Sequence, residues 1–210
     1  MTTSARSERL ALCDLFLEVG PDAPTLCGSW TTRDLAAHLV VRERRPDAAA
    51  GLVVSALENH GESVRAAEAL RPYADIVRRV RTGPPLLSPT RFGPIDALVN
   101  TVEFFVHHED VRRAGDDWSP RSLSHTLDTD LQGAFKRMVS MMARRSPCGL
   151  VVAPTGGERL VAKKGEPSVT ASGPVGELIL FLFGRQAHSQ VDLDGPADLV
   201  EAVRTAPFGV

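Results

Sequence analysis

The segment of residues 99–113 carries the densest group of side chains that could do chemistry. Glu103, His107 and Asp110 are spaced four and three residues apart, so on an α-helix they fall within an arc of about 60°. The same arc borders an apolar stripe that should face a protein core. An unpaired charge buried there costs several kcal/mol. The sequence therefore predicts a compensating partner: a salt bridge, a hydrogen-bond network or a metal ion.

Glu103 and His107 have the spacing of two ligands of one metal ion, because side chains at i and i+4 on a helix point the same way. The alternative is an ordinary ion pair within one helix. His38 is the candidate third ligand, since it flanks Leu35 and Leu39 on the inward face of an earlier helix. A helix bundle brings ligands from facing helices into its core. For His38 the alternative is a core histidine bonded to a backbone carbonyl.

The other side chains of this kind are assigned to less central positions. His108 falls away from the arc on the same helix, and we expect it to be exposed or to contact the site from behind. His60, His125 and His188 have no partner at useful spacing, and we expect them at the surface or outside the direct ligands. Cys27 has no charged partner nearby in sequence, and we expect it to pack as a small apolar residue near the mouth of the site.

Hydrophobic periodicity predicts that helices carry these residues. The first helix spans about residues 4–19, and the second begins at Thr31 or Thr32 with a capping box formed by Thr31 and Asp34. Further helices are expected at residues 62–81 with a break at Pro72, at residues 94–114, and from a Ser119 cap with Pro120 in the first turn to Met142.

Past residue 146 the pattern changes to short β-like runs with turns between them. Strands are expected at residues 150–152, 160–162, 169–171 and 191–193, and helices at residues 175–186 and 196–205. The predicted fold class is therefore mostly α. It comprises a four-helix bundle over residues 1–146 and a small α+β domain over residues 147–210.

The composition excludes several classes of protein. The 210 residues are 43% hydrophobic and 24% charged with a net charge of −2, which gives no electrostatic footprint for nucleic acid or anionic membrane. The longest apolar run, Leu178–Phe183, is far below the roughly 20 residues of a membrane span. With no signal-peptide pattern and three widely spaced cysteines, we expect a cytoplasmic chain that binds neither nucleic acid nor membrane.

Two motifs, taken together and in order, resemble a known family. They are Gly28-Ser29-Trp30-Thr31-x-x-Asp34-Leu35-x-x-His38 and, far downstream, Glu103-x-x-x-His107-x-x-Asp110. They are similar to the DinB-type metal-binding bundle, and in particular to the mycothiol-dependent maleylpyruvate isomerase family of actinobacteria. The segment His107–Arg113 resembles a branch of that family with an H-x-E-D-V-R-R signature. The C-terminal pattern that includes Gly173-Pro174 and Gly184-Arg185 resembles the family's small sterol-carrier-like domain.

The resemblance implies that His38, Glu103 and His107 bind one divalent metal ion. Two imidazoles and one carboxylate suit Zn²⁺ with an open coordination position, and Fe²⁺ or Ni²⁺ is compatible with similar donors. The resemblance also implies that the ion holds a low-molecular-weight thiol, mycothiol or a similar one, as the nucleophilic thiolate. Asp110 would orient a ligand or balance charge, and Arg185 would bind a substrate carboxylate.

The sequence leaves three functions open. The first is a metal-dependent transferase or isomerase in which a small-molecule thiol reacts with a small electrophile, in a monomer or a homodimer. The second is a non-catalytic module that binds a metal or a small molecule. The third is a metal-dependent hydrolase. The segment of residues 46–93 would shape the substrate pocket, and Arg185 is, on the alternative interpretation, a surface residue at a helix end.

Overall fold

The computed structural model describes residues 3–49, 58–84 and 94–209, and its contacts divide the chain into two compact units. The first unit covers residues 1–118, and the second covers residues 119–210. The division thus falls earlier than the boundary at residue 146 that the change of sequence pattern indicated. The reason is that the helix before residue 146 packs its apolar face on a helix and a strand of the C-terminal part.

The first unit consists of helices. They are α1 (Ser4–Val19), α2 (Thr32–Arg44), α3 (Pro46–Ala49), α4 (Glu58–Ala69), α5 (Tyr73–Thr82) and α6 (Pro94–Arg112). The predicted break at Pro72 is confirmed, because Pro72 precedes α5 as its cap and lacks the N–H that a continuous helix needs. Residues 50–57 and 85–93 of the expected pocket-shaping segment lie outside the described residues. Within the described ranges, no helix is long and apolar enough to cross a membrane.

The predicted start of α2 is confirmed, and it fixes where His38 lies. The backbone N–H and the hydroxyl of Thr31 contact one oxygen of the Asp34 carboxylate at 3.1 and 3.0 Å, which completes the capping box. Leu35 and Leu39 are fully buried in a core shared with α1, α5 and α6. His38 lies between these two anchors and is 9% exposed, so α2 holds its ring at the edge of the core.

The second unit opens with α7 (His125–Met142), which begins later than predicted. Ser119 is not its cap and Pro120 is not in its first turn. Instead the Ser124 hydroxyl accepts a hydrogen bond from the backbone N–H of Leu127 at 3.2 Å, so Ser124 is the cap of α7. The apolar stripe that the sequence predicts over residues 123–142 is buried from Leu127 onward, apart from the partly exposed Met138, while Leu123 lies before the helix begins.

A small sheet completes the second unit. Its strands are β1 (Gly149–Pro154), β2 (Leu160–Lys163), β3 (Ser168–Gly173) and β4 (Asp192–Asp194), with α8 (Val175–Leu182) and α9 (Ala197–Arg204). The strand order is β2-β1-β3-β4, in which β1 and β3 are parallel and the outer pairs antiparallel. Every residue of α8 is buried. The chain is therefore mostly helical with a small mixed sheet near its C-terminal end, as predicted.

A buried ion pair ties α1 to α2 within the first unit. Arg9 Nη1 donates to Glu43 Oε2 at 2.7 Å and to the carbonyl of Val80 at 2.9 Å. The Arg9 guanidinium also lies over the ring of Phe104, 4.2 Å from its centroid. Glu43 is 5% exposed, so its charge depends on Arg9 for compensation.

We expect Arg9→Leu to lower the free energy of unfolding of the first unit by about 3–5 kcal/mol, because it leaves the Glu43 carboxylate buried and unpaired. Both tryptophans, Trp30 and Trp118, lie in this unit, so urea unfolding followed by tryptophan fluorescence reports on it. Arg6→Leu, at an exposed position of the same helix, is the control and should change stability by less than about 0.5 kcal/mol. Equal stability of the two variants would contradict the role assigned to Arg9.

Candidate metal centre

Helix α6 brings the three residues that the sequence singled out onto one face. Glu103 Oε1 lies 3.3 Å from His107 Nε2, and His107 Nδ1 lies 2.9 Å from Asp110 Oδ2. Asp110 is fully buried and His107 is 9% exposed. The imidazole of His107 is therefore held between two carboxylates, one at each ring nitrogen.

Helix α2 supplies the third predicted ligand. His38 Nε2 lies 3.7 Å from Glu103 Oε1, and the rings of His38 and His107 meet edge to face with their centroids 5.4 Å apart. The ligand atoms of His38, Glu103 and His107 all lie within 4.8 Å of one another. Ligands at about 2.0–2.1 Å from a tetrahedral ion are about 3.4 Å apart. The donor set and its spacing therefore fit a divalent cation such as Zn²⁺.

The surroundings shift the pKa values of the three donor groups in different directions. Burial by itself would lower the pKa of His107, but its hydrogen bonds, foremost that to Asp110, outweigh burial and raise this pKa well above its ordinary value. Burial would raise the pKa of Glu103, yet the contacts with His107 and His38 hold it well below its ordinary value. Burial lowers the pKa of His38, which its contact with Glu103 offsets only in part. The two carboxylates thus favour a positive charge between them, which a proton on His107 supplies.

Cys27 lies in this cluster through polar contacts, which the sequence analysis did not predict. Its Sγ is 3.1 Å from Asp110 Oδ2 and 3.8 Å from His107 Nδ1, so it is a polar partner and not merely a small apolar residue. The loop is fixed by the bond from the Leu26 N–H to the Asp110 carbonyl at 3.0 Å. Gly28 turns the chain with a φ of 65°, a conformation that favours glycine.

Cys27, His107 Nδ1 and Asp110 form a second group whose ligand atoms lie within 4.8 Å of one another. It shares His107 with the first group. A neutral imidazole offers one nitrogen lone pair and carries its proton on the other nitrogen. A cation on Nε2 therefore leaves Nδ1 to donate to Asp110, and the two groups are alternatives for one ion.

A tryptophan and two arginines border the site. The Trp30 ring lies 5.2 Å from the His38 ring. The Arg65 guanidinium lies over the Trp30 ring, 5.0 Å from its centroid, and pairs with Asp34 at 2.5 Å. Arg42, which the sequence analysis also missed, places Nε 3.3 Å from Glu103 Oε1. The signal that could have found Arg42 is its position four residues after His38 on α2.

The remaining residues of the H-x-E-D-V-R-R segment stabilise the helix from its other faces. His108 is 7% exposed and its Nδ1 lies 3.1 Å from Glu8 Oε2 of α1, so the expected exposure of His108 is wrong, and it contacts α1. Glu109 is fully buried and accepts hydrogen bonds from Arg112 and Arg113. These two arginines are thus engaged with a carboxylate of their own helix.

The histidines that the sequence pattern left outside the direct ligands are not in the candidate ligand groups of the described residues. His60 contacts the exposed Asp47 at 3.3 Å, and its side chain is 50% exposed. His125 is exposed at the start of α7, and His188 is partly exposed. Arg185 belongs to the second unit, where its Nη1 donates to the carbonyl of Phe183 at 2.6 Å. Its expected contact with a substrate stays a prediction.

Two solved structures share the fold of this chain. One is the crystal structure of the mycothiol-dependent maleylpyruvate isomerase, with a TM-score of 0.58 and 14% identity over 92% of each chain. The other is a histidine-to-alanine mutant of the mycothiol-dependent maleylpyruvate isomerase, with a TM-score of 0.59 and 15% identity over 92% of each chain. No family model matches the sequence, and no curated protein matches it. The resemblance noted in the sequence is therefore supported at the level of the fold.

We expect Asp110→Asn to lower the pKa of His107 in protein freed of metal by a chelator, because the variant loses the carboxylate that favours the imidazolium. A raised folded-state pKa stabilises the fold fully below the unfolded value of about 6.5 and loses that effect as the pH rises through the folded-state value. NMR titration of the imidazole and urea unfolding against pH measure both effects. Asp47→Asn, at the exposed His60 contact, is the control and should leave the His107 titration unchanged. An unaltered His107 pKa in Asp110→Asn would contradict this account.

Proposed function

We propose that this protein is a metal-dependent transferase or isomerase that uses a small-molecule thiol, mycothiol or a similar one, against a small electrophile. The observation that carries the proposal is the convergence of His38, Glu103 and His107, whose ligand atoms lie within 4.8 Å of one another. The shared fold supports the choice of reaction, because the solved structures with that fold are described as mycothiol-dependent isomerases.

The three predicted ligands would hold one divalent cation. His38 and His107 would each offer Nε2, and Glu103 would offer Oε1, the oxygen that faces both rings. Three protein ligands are typical of a catalytic zinc site, because they leave a coordination position open. We propose Zn²⁺, with Fe²⁺ or Ni²⁺ as other ions that suit nitrogen and carboxylate donors.

The side chains around the ligands define what the site does. Asp110 accepts a hydrogen bond from His107 Nδ1–H, which fixes the ring with Nε2 facing Glu103. The Cys27 thiol donates a hydrogen bond to the same carboxylate, so it holds Asp110 in place. Trp30 packs on His38 and shields one side of the site. A bound divalent cation would lower the pKa of an incoming thiol, which supplies a thiolate nucleophile at neutral pH.

Arg185, in the second unit, is the residue that we propose to bind a carboxylate of the electrophile, through its planar guanidinium. We propose that this chemistry takes place in the cytoplasm, where low-molecular-weight thiols stay reduced. The helices of the first unit would belong to a DinB-type bundle.

Elemental analysis of the purified protein is the first test. We expect about one divalent ion per chain after incubation with Zn²⁺, and loss of that ion in both Glu103→Ala and His107→Ala, because each removes a direct ligand. His60→Ala removes an exposed histidine and should retain the full metal content. A wild-type protein that holds no Zn²⁺, Fe²⁺ or Ni²⁺ would overturn the catalytic proposal and favour a buried polar network in a ligand-binding protein.

A cobalt-loaded protein tests the thiol. We expect mycothiol to give a sulfur-to-cobalt charge-transfer absorption, because the open position admits a thiolate. Cys27→Ser removes the protein's own nearby thiol and should retain the band. A band that is present without mycothiol and lost in Cys27→Ser would show that the ion occupies the Cys27 group instead. Turnover without any thiol, with water as the nucleophile, would favour the hydrolase.

A further inference from the structure

Arg42 contacts Glu103 Oε1, the oxygen that would bind the cation. Its Nε lies 3.3 Å from Glu103 Oε1, and that oxygen is also 3.3 Å from His107 Nε2 and 3.7 Å from His38 Nε2. Arg42 follows His38 by four residues on α2, so both side chains project from one face of the helix. A cation bound by Glu103 would therefore take away or share the partner of Arg42.

The position of the guanidinium is defined by α6. Arg42 Nη1 donates to Asn100 Oδ1 at 2.8 Å, and Asn100 lies three residues before Glu103 on the same helix. The Arg42 side chain is 18% exposed, so a small molecule can reach it from solvent. Two contacts to one helix make this a positioned donor and not a mobile surface arginine.

Other arginines of the first unit have carboxylates that are not candidate ligands. Arg9 pairs with Glu43, and Arg65 pairs with Asp34 and Glu62. Among the described residues, the carboxylate within ion-pair distance of Arg42 is Glu103 alone. Occupation of Glu103 by a cation would thus leave Arg42 as a partly buried charge without a carboxylate, which is costly.

The charges of the loaded site favour an anion. A divalent cation with two neutral imidazoles and the Glu103 carboxylate has a net charge of about +1, and the charges of Arg42 and Asp110 cancel. The excess positive charge lies next to a planar guanidinium. That combination suits a carboxylate, which can accept two parallel hydrogen bonds from an arginine.

We infer that Arg42 binds a carboxylate of the substrate beside the metal position. In the metal-free protein Arg42 pairs with the Glu103 carboxylate, and an incoming cation must compete with Arg42 for that carboxylate. The inference rests on the proposed function, because it takes Glu103 as a metal ligand. It assigns Arg42 as a residue that selects carboxylate-bearing small molecules. For one substitution, Arg42→Met, we therefore expect the affinity for the metal to rise and the affinity for a carboxylate to fall.

The test uses the full chain, with Co²⁺ as the metal and acetate as the carboxylate probe. We expect Arg42→Met to bind Co²⁺ more tightly, on the order of tenfold, because a repelling charge and a competitor for Glu103 are removed. We expect the same variant to bind acetate about ten- to hundredfold more weakly, because a charge-assisted hydrogen-bond pair is lost. Both constants come from the visible spectrum of Co²⁺. Arg45→Met, which removes a guanidinium paired with Asp47 at the exposed end of α2, should match the wild type in both.

The outcomes separate this inference from the proposed function. Unchanged acetate binding by Co²⁺-loaded Arg42→Met overturns the inference and leaves the metal centre intact. Weaker Co²⁺ binding by Arg42→Met also overturns it, because Arg42 would then only orient Glu103. Failure of the wild type to bind Co²⁺ overturns the metal centre itself. Should Arg42→Met not fold, as judged by circular dichroism, Arg42→Lys keeps the charge without the planar fork. That variant should bind Co²⁺ like the wild type and acetate more weakly, and wild-type acetate binding would overturn the inference.

Discussion

The first unit is organised around two carboxylates that α6 carries on its inward arc. Asp110 is fully buried, and the Glu103 side chain is 21% exposed. Carboxylates removed from water must be hydrogen-bonded or paired, and the neighbouring elements answer this requirement. Helix α2 brings His38 and Arg42 to Glu103, and the loop after α1 brings Cys27 to Asp110. The cluster exists because none of these groups could be buried alone.

The elements that hold the cluster are rigid for local reasons. The capping box of Thr31 and Asp34 fixes the first turn of α2, and the Arg9–Glu43 pair fixes its last turn against α1. The backbone bond between Leu26 and the Asp110 carbonyl joins the loop to α6. Ligands on packed helices keep a more constant geometry than ligands on loops. A cation that arrives would meet donors already close to their final spacing.

The two histidines of the cluster differ in how their surroundings shift the pKa. Its hydrogen bonds, foremost that to Asp110, raise the pKa of His107 well above its ordinary value, while burial lowers the pKa of His38. A proposed divalent ion on His107 would therefore compete with a proton for the ring. Arg42 adds a permanent positive charge at Glu103, with its Nε 3.3 Å from the carboxylate oxygen Oε1.

The sequence by itself determined where most of the helices lie, the break at Pro72, the start of α2 and the shared face of Glu103, His107 and Asp110. Each of these follows from short-range chemistry: helical period, capping and the missing N–H of proline. The small sheet was also readable from its alternating runs and turns. The cap of α7 at Ser124 was not, since Ser119 with Pro120 offered an equally suitable local signal.

Only the tertiary structure decided which distant groups meet. The pairing of Cys27 with Asp110 spans 83 residues of sequence, that of Glu8 with His108 spans 100, and the approach of Arg42 to Glu103 depends on how two helices pack. Spacing along one helix gives direction but not the partner on the next helix. The division of the chain before α7 is likewise a matter of which apolar faces bury each other. That is why the shared face of α6 was predictable from the sequence, whereas the contacts of Cys27 and Arg42 with it were not.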